Sequence, residues 1–345
     1  MVPGTKTGAP FLQWLQSEPW RAWKDIGLTG LKGSSKAYWL ALWLEKMKGP
    51  LLIVVPRLED AESLLEDLRF FQADEKIPAL LFPSWETIPY DQIAPHPEII
   101  QERVKGLFSL LKGERAAFVV PVRALFQKVL SPGELEASTR SLSVGEEMGR
   151  DPLVQFLNKN GFTQVSVVEE KGDFSTRGAI VDIYAPLYDE PLRLEFDGDR
   201  LESIRRFETE TQRSIPQSAM DRTVLLPARD LSESDSQTPV FTLFDYFKGD
   251  EAIFIEEGEE VEREMKVFSD LIEEHYEKAL SRGEAVPPPE SSYLSCEEMT
   301  SHLNRFQKIF LQEGPIAPPQ CQHVFPVDME SNEDLQNEIK ASLAA

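Results

Sequence analysis

The sequence predicts an α/β protein in which a parallel-sheet domain is interrupted by a small α+β domain of mainly antiparallel strands. In the first third of the chain, short apolar runs that are typical of buried strands alternate with amphipathic helical stretches. The middle of the chain instead contains short strand-like runs separated by turn residues, and after it the alternating pattern returns. The 345 residues exceed what one core usually holds, and 41% hydrophobic with 28% charged residues suits two or three packed domains.

The first part of the chain carries the parallel-sheet pattern. Leu51–Val55 is wholly apolar, as expected of a strand buried on both faces, and further strands are predicted at 79–82 and 116–120. Helical spacing between them is shown by two stripes: Ala61, Leu64, Leu65, Leu68 and Phe71, then Ile100, Val104, Leu107, Phe108 and Leu111. Parallel strands joined by helices therefore account for this part.

The pattern changes after Ser131 and Pro132. A helical stretch at 153–157 is followed by strand-like runs at 162–168, 179–184, 192–196 and 201–204. Asp197 and Gly198 separate the last two runs, and an Asp-Gly pair in such a position predicts a hairpin.

The alternating pattern returns with a buried strand at 252–255 and an amphipathic helix through Val261, Met265, Phe268 and Ile272. The polar stretch 328–334 has the composition of a linker. The predicted divisions are a first part of the parallel-sheet domain at 1–135, the inserted domain at 136–225, the second part at 226–328 and a linker at 329–345.

The charge balance disfavours binding to nucleic acid. Lys and Arg number 36 against 59 Asp and Glu, a net charge of −23, which repels the phosphate backbone.

Residues 1–20 contain no secretory apolar region, and no run of 18 apolar residues occurs in the chain, so a cytoplasmic protein without membrane contact is expected. The two cysteines, Cys296 and Cys321, do not have the spacing of a zinc site with His302 or His323, so no metal is expected.

Residues 27–36 resemble a phosphate-binding loop in outline, but the motif is broken. Gly30 and Gly33 are the loop glycines; counted from Gly33, Ser34 stands where the motif needs lysine and Ser35 where it needs the hydroxyl. Lys32 and Lys36 are out of register, so the site is expected to lack its cation.

The acidic half of such a site is also altered, because Glu256 and Glu257 follow the strand at 252–255 where an Asp-Glu pair is usual. No nucleophile motif or histidine triad replaces it. The sequence therefore predicts an inactive nucleotide site, with weak nucleotide binding left open, and no enzyme activity.

Residues 172–184 and 192–204 resemble the UvrA-binding domain shared by UvrB and the transcription-repair coupling factors. Residues 245–257 are similar to the stretch where UvrB carries its motor carboxylates, and the order of the segments matches. Residues 81–91 run almost directly into the helix at 97, where UvrB has a long hairpin, so the coupling factors are the closer match. The resemblance implies a degenerate P-loop, helicase-like domain with an inserted UvrA-binding domain and no cofactor, since ATP is used only by motor domains further along those proteins.

The same resemblance implies the partners. UvrA would bind the inserted domain and be recruited to stalled RNA polymerase, a carboxy-terminal domain of the full-length protein would pack on this region to hold it inactive, and RNA polymerase and DNA would be contacted only through domains beyond this chain. The implied UvrA-binding residues are Arg177, Arg193, Phe196 and Asp197, the last replacing a second Phe of the family pattern.

Four alternatives stay open at the level of the sequence. Arg177 and Arg193 could form salt bridges within this acidic chain, and Phe196 could belong to the sheet core. The whole chain could instead be a UvrB-like, DNA-dependent ATPase or helicase fragment, or a DNA-binding module.

Overall fold

The structure is a computed structural model that describes residues 23–72, 77–87, 89–90, 95–230, 241–249 and 251–327. Residues 1–20 and the predicted linker at 328–334 and 329–345 lie outside the described residues. The strands are β1 Asp25–Thr29, β2 Leu51–Val55, β3 Ala79–Leu81, β4 Ala117–Pro121, β5 Arg140–Ser143, β6 Thr163–Gln164, β7 Asp173–Arg177, β8 Ile180–Ile183, β9 Leu192–Asp197, β10 Arg200–Arg206, β11 Arg222–Leu225, β12 Ala252–Glu256, β13 Gln307–Gln312 and β14 His323–Pro326.

The helices come between these strands in the alternating order that the apolar stripes predict. They are α1 Ser35–Lys46, α2 Leu58–Phe71, α3 Pro97–Leu111, α4 Val122–Phe126, α5 Pro132–Ala137, α6 Arg150–Lys159, α7 Gly258–Ser281 and α8 Cys296–Leu303. None of the described helices is long and apolar enough to cross a membrane.

Seven strands form one parallel sheet in the order β14-β1-β13-β12-β2-β4-β3. Strand β2 shows why its sequence is apolar throughout. Leu52 and Val54 face one core and Leu51, Ile53 and Val55 face the other, because successive side chains of a strand point to opposite faces.

The helices divide between the two faces of this sheet. Side chains of α1 and α2 join one core, while those of α3, α7 and α8 join the other. The connections that leave β2 and its neighbour β12 therefore run to opposite faces. Such a reversal opens a crevice at the carboxyl ends of the strands, where α/β proteins place their sites.

A second sheet has five strands in the order β10-β9-β8-β7-β6, all antiparallel except the β6–β7 pair. Helix α6 covers one face through Leu153 and Leu157. Asp197 pairs with Arg200 across a turn in which Gly198 has φ +59°, so the predicted hairpin is confirmed. Strands β5 and β11 form an antiparallel pair at the two ends of this part of the chain.

The mixed α/β architecture with a large parallel sheet and a separate, mainly antiparallel one is confirmed, with corrections. Residues 27–29 of the expected loop belong to β1, where Gly27 is required because a Cβ atom would lie 2.6 Å from the Cβ of Ala317. The strand expected at 162–168 is only Thr163–Gln164. The domain boundaries stay predictions.

Candidate functional site

The loop between β1 and α1 adopts the left-handed turns that its glycines allow, with φ +82° at Gly30 and +52° at Gly33. Two of its amides, however, donate to backbone carbonyls on the neighbouring segment. The Gly30 N–H donates to the carbonyl of Gly314 at 3.1 Å, and the Leu31 N–H donates to the carbonyl of Gln312 at 3.0 Å. These two N–H groups are therefore not available to a phosphate.

Helix α1 begins directly after this loop. Ser34 is its N-cap residue but makes no side-chain capping bond. Ser35 is 8% exposed, and its hydroxyl has no hydrogen-bond partner among the described residues.

Lys36 contributes a cation beside the predicted acidic residues of this site. Its Nζ lies 2.6 Å from Oε1 of Glu256 and 3.0 Å from Oε1 of Glu257. Although Lys36 is out of register with the motif, it lies in the first turn of α1, and its long side chain extends to the carboxyl end of β12. The predicted acidic residues and this lysine therefore form one cluster.

Burial and charge act against each other in this cluster. Burial raises the pKa of Glu256, and the nearby Lys36 offsets only part of that rise. Burial lowers the pKa of Lys36, but the attraction and hydrogen bonds of Glu256 and Glu257 outweigh it, so the net pKa of Lys36 is raised. Glu257 has φ +46°, and its Oε1 also accepts the Glu313 N–H at 2.8 Å.

Arg177 lies at the end of β7 and, unlike the largely buried Lys36 cluster, is exposed to solvent. It pairs with Ile180 across the turn at Gly178, whose φ of +61° is the reason for glycine after this arginine. The side chain is exposed and has no hydrogen-bond or ion-pair partner within the parts of the chain that the structure describes. Its guanidinium is therefore available to a partner.

Arg193 forms a salt bridge within the chain, as the open alternative for this residue expects. Its Nε and Nη2 donate to the two carboxylate oxygens of Asp182 at 2.7 and 2.9 Å, and its Nη1 donates to the Gln212 carbonyl at 3.2 Å. The guanidinium lies 4.6 Å from the ring centre of Phe207, and the side chain is 15% exposed. The internal ion pair is thus present for Arg193, whereas its role in UvrA binding stays a prediction.

The last two predicted residues, Phe196 and Asp197, are adjacent in β9 but differ in burial. Phe196 is 6% exposed and packs in the core of the five-stranded sheet, as the sheet-core alternative expects. Asp197 is exposed at the turn. Of the four residues implied for UvrA binding, only Arg177 and Asp197 are therefore exposed.

The outer face of the five-stranded sheet, the one away from α6, also contains residues that the sequence pattern did not single out. Ser203, Glu195 and Ile180 lie in register across β10, β9 and β8, and Ile180 pairs with Arg177 on β7. Arg205 contacts Glu195, with Nη2 to Oε2 at 2.9 Å. The alternation of buried and polar residues along 192–206 was the signal for this face.

No metal centre competes with these sites in the described chain, where no group of three or more His, Cys, Asp or Glu could hold an ion. Cys296 and Cys321 are free thiols. The predicted absence of zinc stays a prediction.

Residues 141–231 match the UvrB interaction domain family. The chain is 37% identical over 237 residues to a transcription-repair-coupling factor of Myxococcus xanthus. This alignment covers 67% of this chain and 19% of that protein. With the Escherichia coli protein of the same name it is 30% identical over 229 residues, 66% of this chain and 20% of that protein. With that of Haemophilus influenzae it is 23% identical over 335 residues, 85% of this chain and 29% of that protein.

The chain thus spans about a fifth of the length of the first two relatives. The matched domain contains the five-stranded sheet with Arg177, Arg193, Phe196 and Asp197. The resemblance seen in the sequence is confirmed: residues 141–231 match the UvrB interaction domain family, and the chain is similar to the transcription-repair-coupling factors.

Proposed function

We propose that this chain is a non-catalytic docking module of transcription-coupled nucleotide-excision repair, which binds UvrA through the outer face of its five-stranded sheet. The observation that carries the proposal is Arg177, an exposed arginine inside the matched UvrB interaction domain that has no partner among the described residues. Arginine binds carboxylates in a two-point geometry and is frequent among interface anchors.

The character of this face favours a charged protein partner. Arg205 and Glu195 form a pair whose side chains are 42% and 34% exposed, so both can exchange partners on binding. Ile180 lies between them and Arg177 and is half-buried, which adds a small apolar centre. Charged groups around a small apolar patch give specificity and rapid association.

The proposal also covers the context of a longer protein. In a coupling factor the module would recruit UvrA to stalled RNA polymerase and would pack against a carboxy-terminal domain to hold the resting state. ATP, RNA polymerase and DNA would be handled by domains outside this chain, in the cytoplasm. A net charge of −23 supports leaving duplex DNA to those other domains.

We assign the loop at 30–34, α1 and the end of β12 as a degenerate, helicase-like nucleotide site. Two observations favour inactivity over the alternative of a UvrB-like ATPase. The amides of Gly30 and Leu31 are bonded to backbone carbonyls, and Lys36 is held by Glu256 and Glu257. Neither group is then free to contact phosphate.

The test is a calorimetric titration of UvrA from the same organism with the chain and with Arg177→Glu. Loss of one partner of a desolvated charge pair costs about 2 kcal/mol or more, so binding is expected to weaken about 30-fold or more. Arg69→Glu is the matched control, because Arg69 is also exposed but lies on α2 in the parallel-sheet part.

Unchanged affinity of Arg177→Glu, or an equal loss in Arg69→Glu, would contradict this docking surface. The enzyme alternative is tested separately by measuring ATP turnover with and without DNA. Turnover of about 1 per second, an ordinary enzyme rate, would replace the docking module by a motor fragment. A salt-sensitive shift of duplex DNA at micromolar protein would favour a DNA-binding module.

A further inference from the structure

The cluster of Lys36, Glu256 and Glu257 has more negative than positive charge. One ammonium faces two carboxylates, and the three side chains are only 10%, 12% and 28% exposed. Besides burial, the carboxylates of Asp60 and Glu257 also act to raise the pKa of Glu256. A single positive charge therefore leaves this largely buried site undercompensated.

One carboxylate oxygen of the cluster lacks a donor. Oε2 of Glu256 is buried without a hydrogen-bond partner among the described residues. Buried polar atoms in native proteins are nearly always partnered, so each unpartnered one needs an explanation. Carboxylate and hydroxyl oxygens are the ligands that hard divalent cations such as Mg²⁺ and Mn²⁺ prefer.

We propose that the Lys36 ammonium is an internal substitute for a divalent cation, and that shortening this side chain opens a cation site held by Glu256 and Glu257. A lysine ammonium is a compact point charge with three donors, which suits it to this position. Because it is tethered to α1, it occupies the site at any metal concentration. The inference is independent of UvrA docking.

The occupant of the opened site is a metal ion alone, not a metal–nucleotide complex. Phosphate would need the loop amides, and four of them, those of Gly30, Leu31, Lys32 and Ser35, already donate to backbone carbonyls. Gly30 is further closed in, since a Cβ atom there would lie 2.6 Å from the Val327 carbonyl oxygen. Shortening Lys36 changes none of these backbone contacts.

The experiment compares the parent chain with Lys36→Ala during Mn²⁺ titration, using thermal unfolding and the electron paramagnetic resonance signal of free Mn²⁺. Without metal, Lys36→Ala is expected to melt lower than the parent because two buried carboxylates lose their cation. Mn²⁺ at 100 times its dissociation constant should raise the folding equilibrium constant of Lys36→Ala about 100-fold and leave the parent unchanged.

Lys36→Ala combined with Glu256→Gln is the matched control. It retains the cavity but loses one charged ligand, so the proposal expects its Mn²⁺ response to be lost. ATP added at constant free Mn²⁺ should bring no further stabilisation of Lys36→Ala. A larger effect of ATP would make this a nucleotide site and overturn the inference.

Three further results would also overturn it: no Mn²⁺ response in Lys36→Ala, an equal response in the parent, or an equal response in the double variant. If Lys36→Ala does not fold without metal, its refolding yield with and without Mn²⁺ replaces the melting experiment. Metal-dependent refolding that requires Glu256 supports the proposal, and refolding indifferent to Mn²⁺ rejects it.

Discussion

Arg193 and Asp182 pair across strands β9 and β8 through two parallel hydrogen bonds, with nitrogen–oxygen distances of 2.7 and 2.9 Å. Asp182 is 2% exposed at its side chain, so its charge depends on this arginine for compensation. The hydrogen bonds and attraction of Asp182 also raise the pKa of Arg193, against the effect of burial. The pair therefore belongs to the framework of the five-stranded sheet.

Arg193→Glu is expected to destabilise the folded chain rather than only weaken docking. It places two carboxylates together in a buried position, and breaking a buried pair costs about 3–5 kcal/mol. Denaturant unfolding measures this loss. Arg177→Glu serves as the control and should change stability by less than about 0.5 kcal/mol, because Arg177 has an exposed side chain. Equal stability of the two variants would disprove the framework role of Arg193.

Asp230→Ala is expected to be among the most destabilising single changes in the described chain. The Oδ2 atom of Asp230 accepts from Arg103 Nε at 2.5 Å and from Trp85 Nε1 at 2.9 Å, and the Arg103 side chain is fully buried. Removing the carboxylate leaves a buried, uncompensated guanidinium, at a cost of about 3–5 kcal/mol.

Thermal or denaturant unfolding checks this prediction, with Asp230→Asn as the companion variant. Asparagine retains an oxygen acceptor but not the charge, so its loss should be smaller. An Asp230→Ala variant as stable as the parent would mean that water or another group compensates Arg103.

Asp197→Phe is expected to tighten UvrA binding without a loss of stability. Asp197 is exposed at the turn after β9, so an aromatic ring there would project outward beside the buried Phe196. Aromatic side chains supply large contact area at interfaces. The calorimetric titration proposed for Arg177 measures the change, and Asp197→Ala separates the gain of a ring from the loss of a charge. Unchanged or weaker binding of Asp197→Phe would remove this position from the interface.

Cys321 is expected to react slowly with iodoacetamide at pH 8. Burial, with a smaller contribution from Asp25, raises the pKa of its thiol to about 11. The thiolate is the reactive form, so only about 0.1% of the thiol is reactive at pH 8, and the rate should rise about tenfold per pH unit toward 11. Peptide mapping of the alkylated chain measures the rate, and the chain in denaturant is the reference. Equal rates in both states would contradict the protected thiol.

The sequence predicted those elements whose pattern reflects burial. Strand β2 is apolar at every position because both of its faces are covered, and the helical stripes lie on the cores that they predict. Strand β13 escaped notice because polar residues at Gln307, Lys308 and Gln312 flank its short apolar centre. Strand β14 is an edge strand with an exposed Val324 and a proline, a composition that also fits a loop.

Side-chain partners were harder to predict than strands. The contact between Lys36 and Glu256 joins positions 220 residues apart, and counting along a motif says nothing of where a long side chain ends. For Arg193 a signal was present: Asp182 interrupts an apolar strand, and a charge in such a position requires a buried counter-charge. Arg177 is exposed beside the turn at Gly178, while its role in UvrA binding stays a prediction.

The pairing of β5 with β11 brings Arg140 opposite Leu225, so the segment between them starts and ends at one place in the molecule. A segment with adjoining ends can be removed from or added to a host sheet without displacing it, as is usual for tolerated domain insertions. In genetic terms, the segment 140–225 is a unit that can be moved as a whole. A gene segment encoding residues 140–225 is therefore expected to fold when it is inserted into another protein between two adjacent strands of the same spacing.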